Sequence, residues 1–292
     1  MKTFKGKAIY NPSGKAGEYS YWACNFYTGC SNDCAYCYCK RGVLASTWST
    51  TPKLKSCFKD ENHALEIFEK ELKRNLPELQ KHGLFFSFTT DPMLPETKLL
   101  TMVAVHFCML NSVNMKILTK RADWIDWALA FPYKITFGEE PEKTYYLEHF
   151  KNHIAWGFTL TGHDELEPNA STNAERIEAM RKLHNAGFKT WASIEPMIDI
   201  TIGLDIIKAT AEFCDLYKIG LLSGGKYKSI NLHLFVNVAS AIIERDYGNR
   251  SKIYFKDSLL EKAEKQRKYL PSNCVGRDYN IFNDKKNNYA HN

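Results

Sequence analysis

Six short stretches of the chain are apolar with little polar alternation: Tyr21–Phe26, Leu84–Thr90, Met115–Lys120, Ile154–Leu160, Lys189–Glu195 and Leu216–Leu222. Their aromatic and β-branched residues predict strands, and the missing alternation predicts strands covered on both faces, as in a parallel sheet. Amphipathic runs lie between them. Leu65, Phe68, Leu72, Leu76 and Leu79 form one apolar stripe at helical spacing. Thr172 followed by Glu175 spells a capping box, Ile177, Met180 and Leu183 supply a buried face, and Gly187 supplies a stop. Further helices fit Thr97–Leu110, Asp123–Ala130, Gly203–Cys214 and Ser229–Arg245.

Strands alternating with helices predict an α/β fold with right-handed crossovers. Six units are too few for a closed eight-fold barrel, so the pattern predicts a partial (β/α)6 TIM-type barrel, open on one side. The expected organisation is a lead-in over 1–20, the barrel over 21–248, and a small C-terminal appendage over 249–292 holding one strand and one helix. No Pro/Gly/Ser tract or internal repeat divides the chain.

With 44% hydrophobic and 25% charged residues, the 292-residue chain has the composition of a folded globular protein. It has no apolar run of membrane-spanning length, and its first residues lack a signal-peptide centre, so the expectation is a cytoplasmic protein with reduced thiols. The net charge of +6 is compatible with a nucleic-acid partner but too small to demand one.

Nine cysteines is an odd number, and four of them fall within "CSNDCAYCYC". Cys30, Cys34 and Cys37 have the spacing C-x3-C-x2-C on a polar loop after the first expected strand. A structural zinc site needs four ligands, usually in two pairs, whereas Cys57, Cys108, Cys214 and Cys274 stand alone. Three thiolates from one loop suit a [4Fe–4S] cluster with one iron left open. Cys39 is left over, as a bystander, a fourth ligand or a hydrogen-atom donor. Polar residues end the strands that follow: Thr90 and Asp91, Lys120, Thr159 and Thr161, then Glu195 beside Ser193. Each has an ordinary reading as a turn residue or a solvated strand end. His106, His163 and His184 read as surface residues, and Ser223–Lys226 reads as a Gly-Gly turn.

"GCSNDCAYC" resembles the signature of the radical S-adenosylmethionine (SAM) enzymes. From Cys24 to Ser223 the chain is similar to the branch containing the spore photoproduct lyases. That similarity rests on "GCSNDCAYCY", "TTDP", "LTKR" and "LEPNASTNAERIEAMRKLHNAGF". The resemblance implies a partial (β/α)6 barrel, a [4Fe–4S] cluster on Cys30, Cys34 and Cys37, and SAM bound at the open iron. It implies SAM contacts at Thr90, Lys120 and Thr159, to which Asp91 is added for the ammonium and Thr161 for the ribose, with Glu195 as a further contact to SAM or substrate. It also implies a hydrogen-relaying role for Tyr36 and Tyr38, a flavodoxin- or ferredoxin-type reducing partner, and a base in nucleic acid as substrate. One position departs. The lyases have a hydrogen-donating cysteine where this chain has Phe88, whose ring has no labile hydrogen; Cys39 or Cys57 would have to substitute. Two other readings stay open: a protein- or peptide-modifying radical SAM enzyme, and a non-catalytic metal-binding module.

Overall fold

The structure is a computed structural model describing residues 3–41, 44–130, 151–246 and 251–283. The expected boundary at Gly248 and the end of the tail lie outside the described residues. The strands are β1 (Ile9–Tyr10), β2 (Ala23–Cys24), β3 (Tyr27–Thr28), β4 (Lys53–Leu54), β5 (Leu84–Phe86), β6 (Met115–Thr119), β7 (Ile154–Thr159), β8 (Lys189–Met197), β9 (Leu216–Leu221) and β10 (Lys252–Phe255). The helices are α1 (Glu61–Arg74), α2 (Leu76–His82), α3 (Lys98–Leu110), α4 (Ile125–Ala130), α5 (Asn173–Asn185), α6 (Ile200–Thr210), α7 (Ser229–Asp246) and α8 (Asp257–Lys262).

One sheet runs in the order β1-β2-β5-β6-β7-β8-β9-β10 and does not close. From β2 onward every neighbouring pair is parallel, and β1 is added antiparallel to β2. This is the partial TIM-type barrel that the sequence predicts. The six expected parallel strands are all present, and the short strand of the C-terminal segment, β10, extends the same sheet beside β9. The apolar stripe from Leu65 to Leu79 is carried by two helices, α1 and α2. Asn75 leaves helical geometry, and Pro77 at the start of α2 has no N–H to continue the ladder. The capping box at Thr172 is formed with both bonds present.

Every residue of β7 is buried, which is why its sequence shows no alternation. Its side chains nonetheless divide by the period of two. Ile154, Trp156 and Phe158 join the main core on the helix side, while Ala155 joins Tyr19, Ala23, Phe85 and Trp191 on the opposite face. Gly157 is required there: a Cβ would come within 2.1 Å of the Trp191 ring.

That opposite face is filled by a segment the sequence does not reveal. Gly14–Glu18 forms a 3-10 turn, and three lysines, on β6, on β9 and just after β10, bind carbonyls of the turn and of Tyr19 that follows it. Lys116 Nζ donates to Tyr19 O at 2.8 Å, Lys218 Nζ to Glu18 O at 2.8 Å, and Lys256 Nζ to Lys15 O at 3.1 Å. Tyr254 donates to the Glu18 carboxylate at 2.7 Å. Burial pushes Lys116 down to about 8 and holds Lys218 well below the ordinary lysine range, with Lys116 and Lys256 adding like-charge repulsion to Lys218.

Candidate active site at the cysteine loop

The cysteine loop leaves β3 through Gly29, whose φ of +83° is accessible to glycine and strained for other residues. A Cβ at Gly29 would meet Ser49 O at 2.7 Å and Thr51 O at 2.8 Å. Cys30 N donates to Ser49 O at 2.9 Å, and Ala35 N to Leu166 O at 2.8 Å, which ties the loop to the segment after β7. Lys40 pairs with Asp33 at 2.6 Å across the loop.

All nine cysteines are free thiols, so Cys30, Cys34 and Cys37 are available as ligands. Burial pushes the Cys30 thiol up to about 12, with the Asp91 carboxylate adding to the effect. Burial also raises Cys34, against the pull of Lys120. Cys37 is lowered and Cys39 raised, each chiefly through the influence of the other thiol. Among the described residues, no group of three or more His, Cys, Asp or Glu converges closely enough to hold a single metal ion. A cubane places each thiolate on a different iron, so three ligands on one loop do not need to converge on a point.

Asp91 joins this loop to the ends of two strands. Its Oδ1 accepts from Thr119 Oγ1 at 2.7 Å and Met93 N at 3.0 Å. Its Oδ2 accepts from Asn32 Nδ2 at 2.8 Å and Lys120 N at 2.7 Å. A carboxylate offers about four acceptor positions, so Asp91 has none left for a ligand's ammonium. Asp91, expected to contact SAM, is the structural joint between the loop and two strand ends.

Its neighbours are differently placed. Thr90 Oγ1 is buried with no hydrogen-bond partner, as is Asn32 Oδ1. The Lys120 ammonium lies 5.6 Å from the centre of the Tyr36 ring. Burial opposes its charge, but the Cys34 thiol and the Glu167 and Asp91 carboxylates outweigh that and raise it above the ordinary lysine range.

A buried ion pair backs the loop. Tyr36 donates its hydroxyl to Glu167, whose other oxygen is bound by Arg176. Arg176 also donates to Thr159 O at 2.6 Å. Burial and the Glu167 charge hold the Tyr36 phenol well above its usual range. Tyr36, Lys120 and Thr159 are thus joined through one network. Thr161 is buried at the same strand end and caps its turn by accepting from His163 N at 3.3 Å.

On the other flank, the Tyr38 hydroxyl donates to Phe88 O, and Cys39 Sγ lies 3.7 Å from the same carbonyl. Tyr38 is 57% exposed, while Cys39 is buried. Glu195 is not part of this assembly. Its carboxylate, expected to contact SAM or substrate, accepts from Lys256 at 2.8 Å and from Tyr19 at 2.5 Å, so it anchors the N-terminal segment. His106, expected at the surface, is buried on α3. The sequence reading passed over Asn32 and gave Glu167 and Arg176 no role. The signal for the latter pair is a glutamate and an arginine nine residues apart around a capped helix start.

No family model and no curated protein matches the sequence. Solved structures share its fold. Spore photoproduct lyase complexed with dinucleoside spore photoproduct superposes with a TM-score of 0.58 at 15% identity, over 84% of this chain and 79% of that one. A double mutant of spore photoproduct lyase with bound AdoMet and dinucleoside spore photoproduct gives 0.54 at 17% identity, over 81% of this chain and 63% of that one. The chain therefore spans less than two thirds of the latter's length. At these identities the likeness is one of fold.

Proposed function

We propose that the chain is a radical SAM enzyme in which Cys30, Cys34 and Cys37 hold a [4Fe–4S] cluster, and that its substrate is a base in nucleic acid. The observation carrying this reading is the loop itself: three free cysteines on the loop after β3, just beyond the first parallel strand of an open barrel, with a half-buried lysine and an unpartnered buried threonine close by. That the same fold binds AdoMet and a dinucleoside lesion in a solved lyase supports both parts. When bound, the cluster and SAM supply a 5′-deoxyadenosyl radical for hydrogen abstraction.

The chain's own residues have distinct tasks. Lys120, held protonated by its anionic surroundings, offsets the thiolate charge and binds the SAM carboxylate with the Thr90 hydroxyl. Thr159 and Thr161 face the ribose. Glu167 and Arg176 fix the Tyr36 ring over Lys120. Cys39 and Tyr38 converge on the backbone of Phe88, the position where the lyases have their hydrogen-donating cysteine. Cys39 therefore takes the donor role from the neighbouring loop, with the exposed Tyr38 as the relay toward solvent-side substrate. A small flavodoxin- or ferredoxin-type protein supplies the electron, and binding to nucleic acid weakens with salt.

The test is anaerobic reconstitution followed by reductant and SAM. The expected result is a brown protein with about four irons per chain that forms 5′-deoxyadenosine. Cys34→Ala should lose both colour and product. A colourless wild-type protein holding one zinc would overturn the reading.

A further inference from the structure

We propose that the side-chain carbonyl of Asn32 accepts the hydrogen bond from the amino group of SAM, the task that sequence spacing offers to Asp91; this rests on the radical SAM reading above. Asp91 cannot perform it, because all four of its acceptor positions are taken by Thr119, Met93, Asn32 and Lys120. Asn32 is 1% exposed, and its Nδ2 is committed to Asp91 at 2.8 Å, which assigns the amide's orientation. Its Oδ1 is then buried without a partner. Leaving such a carbonyl unpaired costs on the order of 1–3 kcal/mol, so a ligand that donates to it recovers energy the fold has forgone.

The groups around Asp91 complement the methionine end of SAM. Thr90, the preceding residue, has its own buried hydroxyl unpartnered. Lys120, whose backbone amide binds Asp91, carries a half-buried ammonium. One acceptor, one hydroxyl and one cation match one amino group and one carboxylate.

The chemistry of the amine favours an amide over a carboxylate. An amine that ligates a metal must keep its lone pair free and is therefore unprotonated. A free carboxylate beside it would favour the ammonium, which cannot ligate. A neutral amide oxygen accepts an N–H from the ligating amine without adding that bias. Asp91, spent on backbone and side-chain donors, is kept from the role by the same bond that presents Asn32.

The test compares two ligands by equilibrium dialysis on the iron-loaded protein: SAM, and 5′-methylthioadenosine, which lacks the amino-acid end. Asn32→Ala should bind SAM about tenfold more weakly, equivalent to about 1.4 kcal/mol, with binding of 5′-methylthioadenosine unchanged. SAM binding within twofold of wild type, or an equal loss for both ligands, would overturn the assignment. Loss of iron in both Asn32→Ala and Asn32→Ser would also overturn it, by assigning the side chain to folding of the loop. Iron-loaded wild-type protein that does not bind SAM would instead defeat the functional reading of the preceding section, and this assignment with it.

Discussion

Replacing Arg176 with methionine tests whether the ion pair behind the cysteine loop organises this side of the barrel. The guanidinium and the Glu167 carboxylate are both fully enclosed. Arg176 also donates to Thr159 O at 2.6 Å and to Thr172 O at 3.3 Å. Methionine fills much of the volume but supplies no donor, so the Glu167 charge stays buried with only the Tyr36 hydroxyl and the Thr159 carbonyl loses its partner. Removing one member of a buried pair costs about 3–5 kcal/mol, which for a chain of this size lowers Tm by roughly 5–8 °C. Asp164, 3.5 Å from the guanidinium, is half exposed and adds little. The double replacement Glu167→Gln with Arg176→Met removes both charges and should recover about 1–3 kcal/mol of the single variant's loss. Urea unfolding followed by circular dichroism measures both. A single variant within about 1 kcal/mol of wild type, or a double variant less stable than the single, would refute the reasoning.

Two further outcomes follow from the same geometry. Burial depresses Lys116 to about 8 against an ordinary 10.5. The folded state therefore binds fewer protons than the unfolded chain between those values, so stability rises with pH from about 8 toward 10. The gain is at most about 3 kcal/mol. Urea midpoints across that window should rise for wild type and rise less for Lys116→Met; equal slopes would discount the buried lysine. Gly29→Ala places a Cβ against two carbonyls at a left-handed backbone position. It should cost about 1–3 kcal/mol and lower iron uptake on reconstitution, measured by metal analysis; normal iron content with unchanged stability would refute the tightness of that turn.

How much of this was legible in the sequence depends on how far apart the partners lie. β7 reads directly, because a strand covered on both faces must be apolar throughout, and α5 reads directly, because its cap is spelled within four residues. The cysteine loop is equally local. The N-terminal segment is not: Lys218 meets Glu18 across 200 residues, and a lysine in a strand looks the same whether it faces water or a carbonyl. The anchoring role of Glu195 is hidden for the same reason, since its partners Lys256 and Tyr19 come from opposite ends of the chain.

The same logic separates Asp91 from Asn32. Sequence spacing shows which polar residues end a strand, but not which of their atoms the fold has already consumed. A carboxylate is the obvious partner for an ammonium until its four positions are found occupied. An asparagine inside a cysteine motif looks like loop filler until one arm of its amide is pinned and the other left bare. A binding role at a buried site is therefore better sought among unspent atoms than among formal charges, and the unspent atoms around this cysteine loop include the Asn32 carbonyl and the Thr90 hydroxyl, with the Lys120 ammonium over the Tyr36 ring.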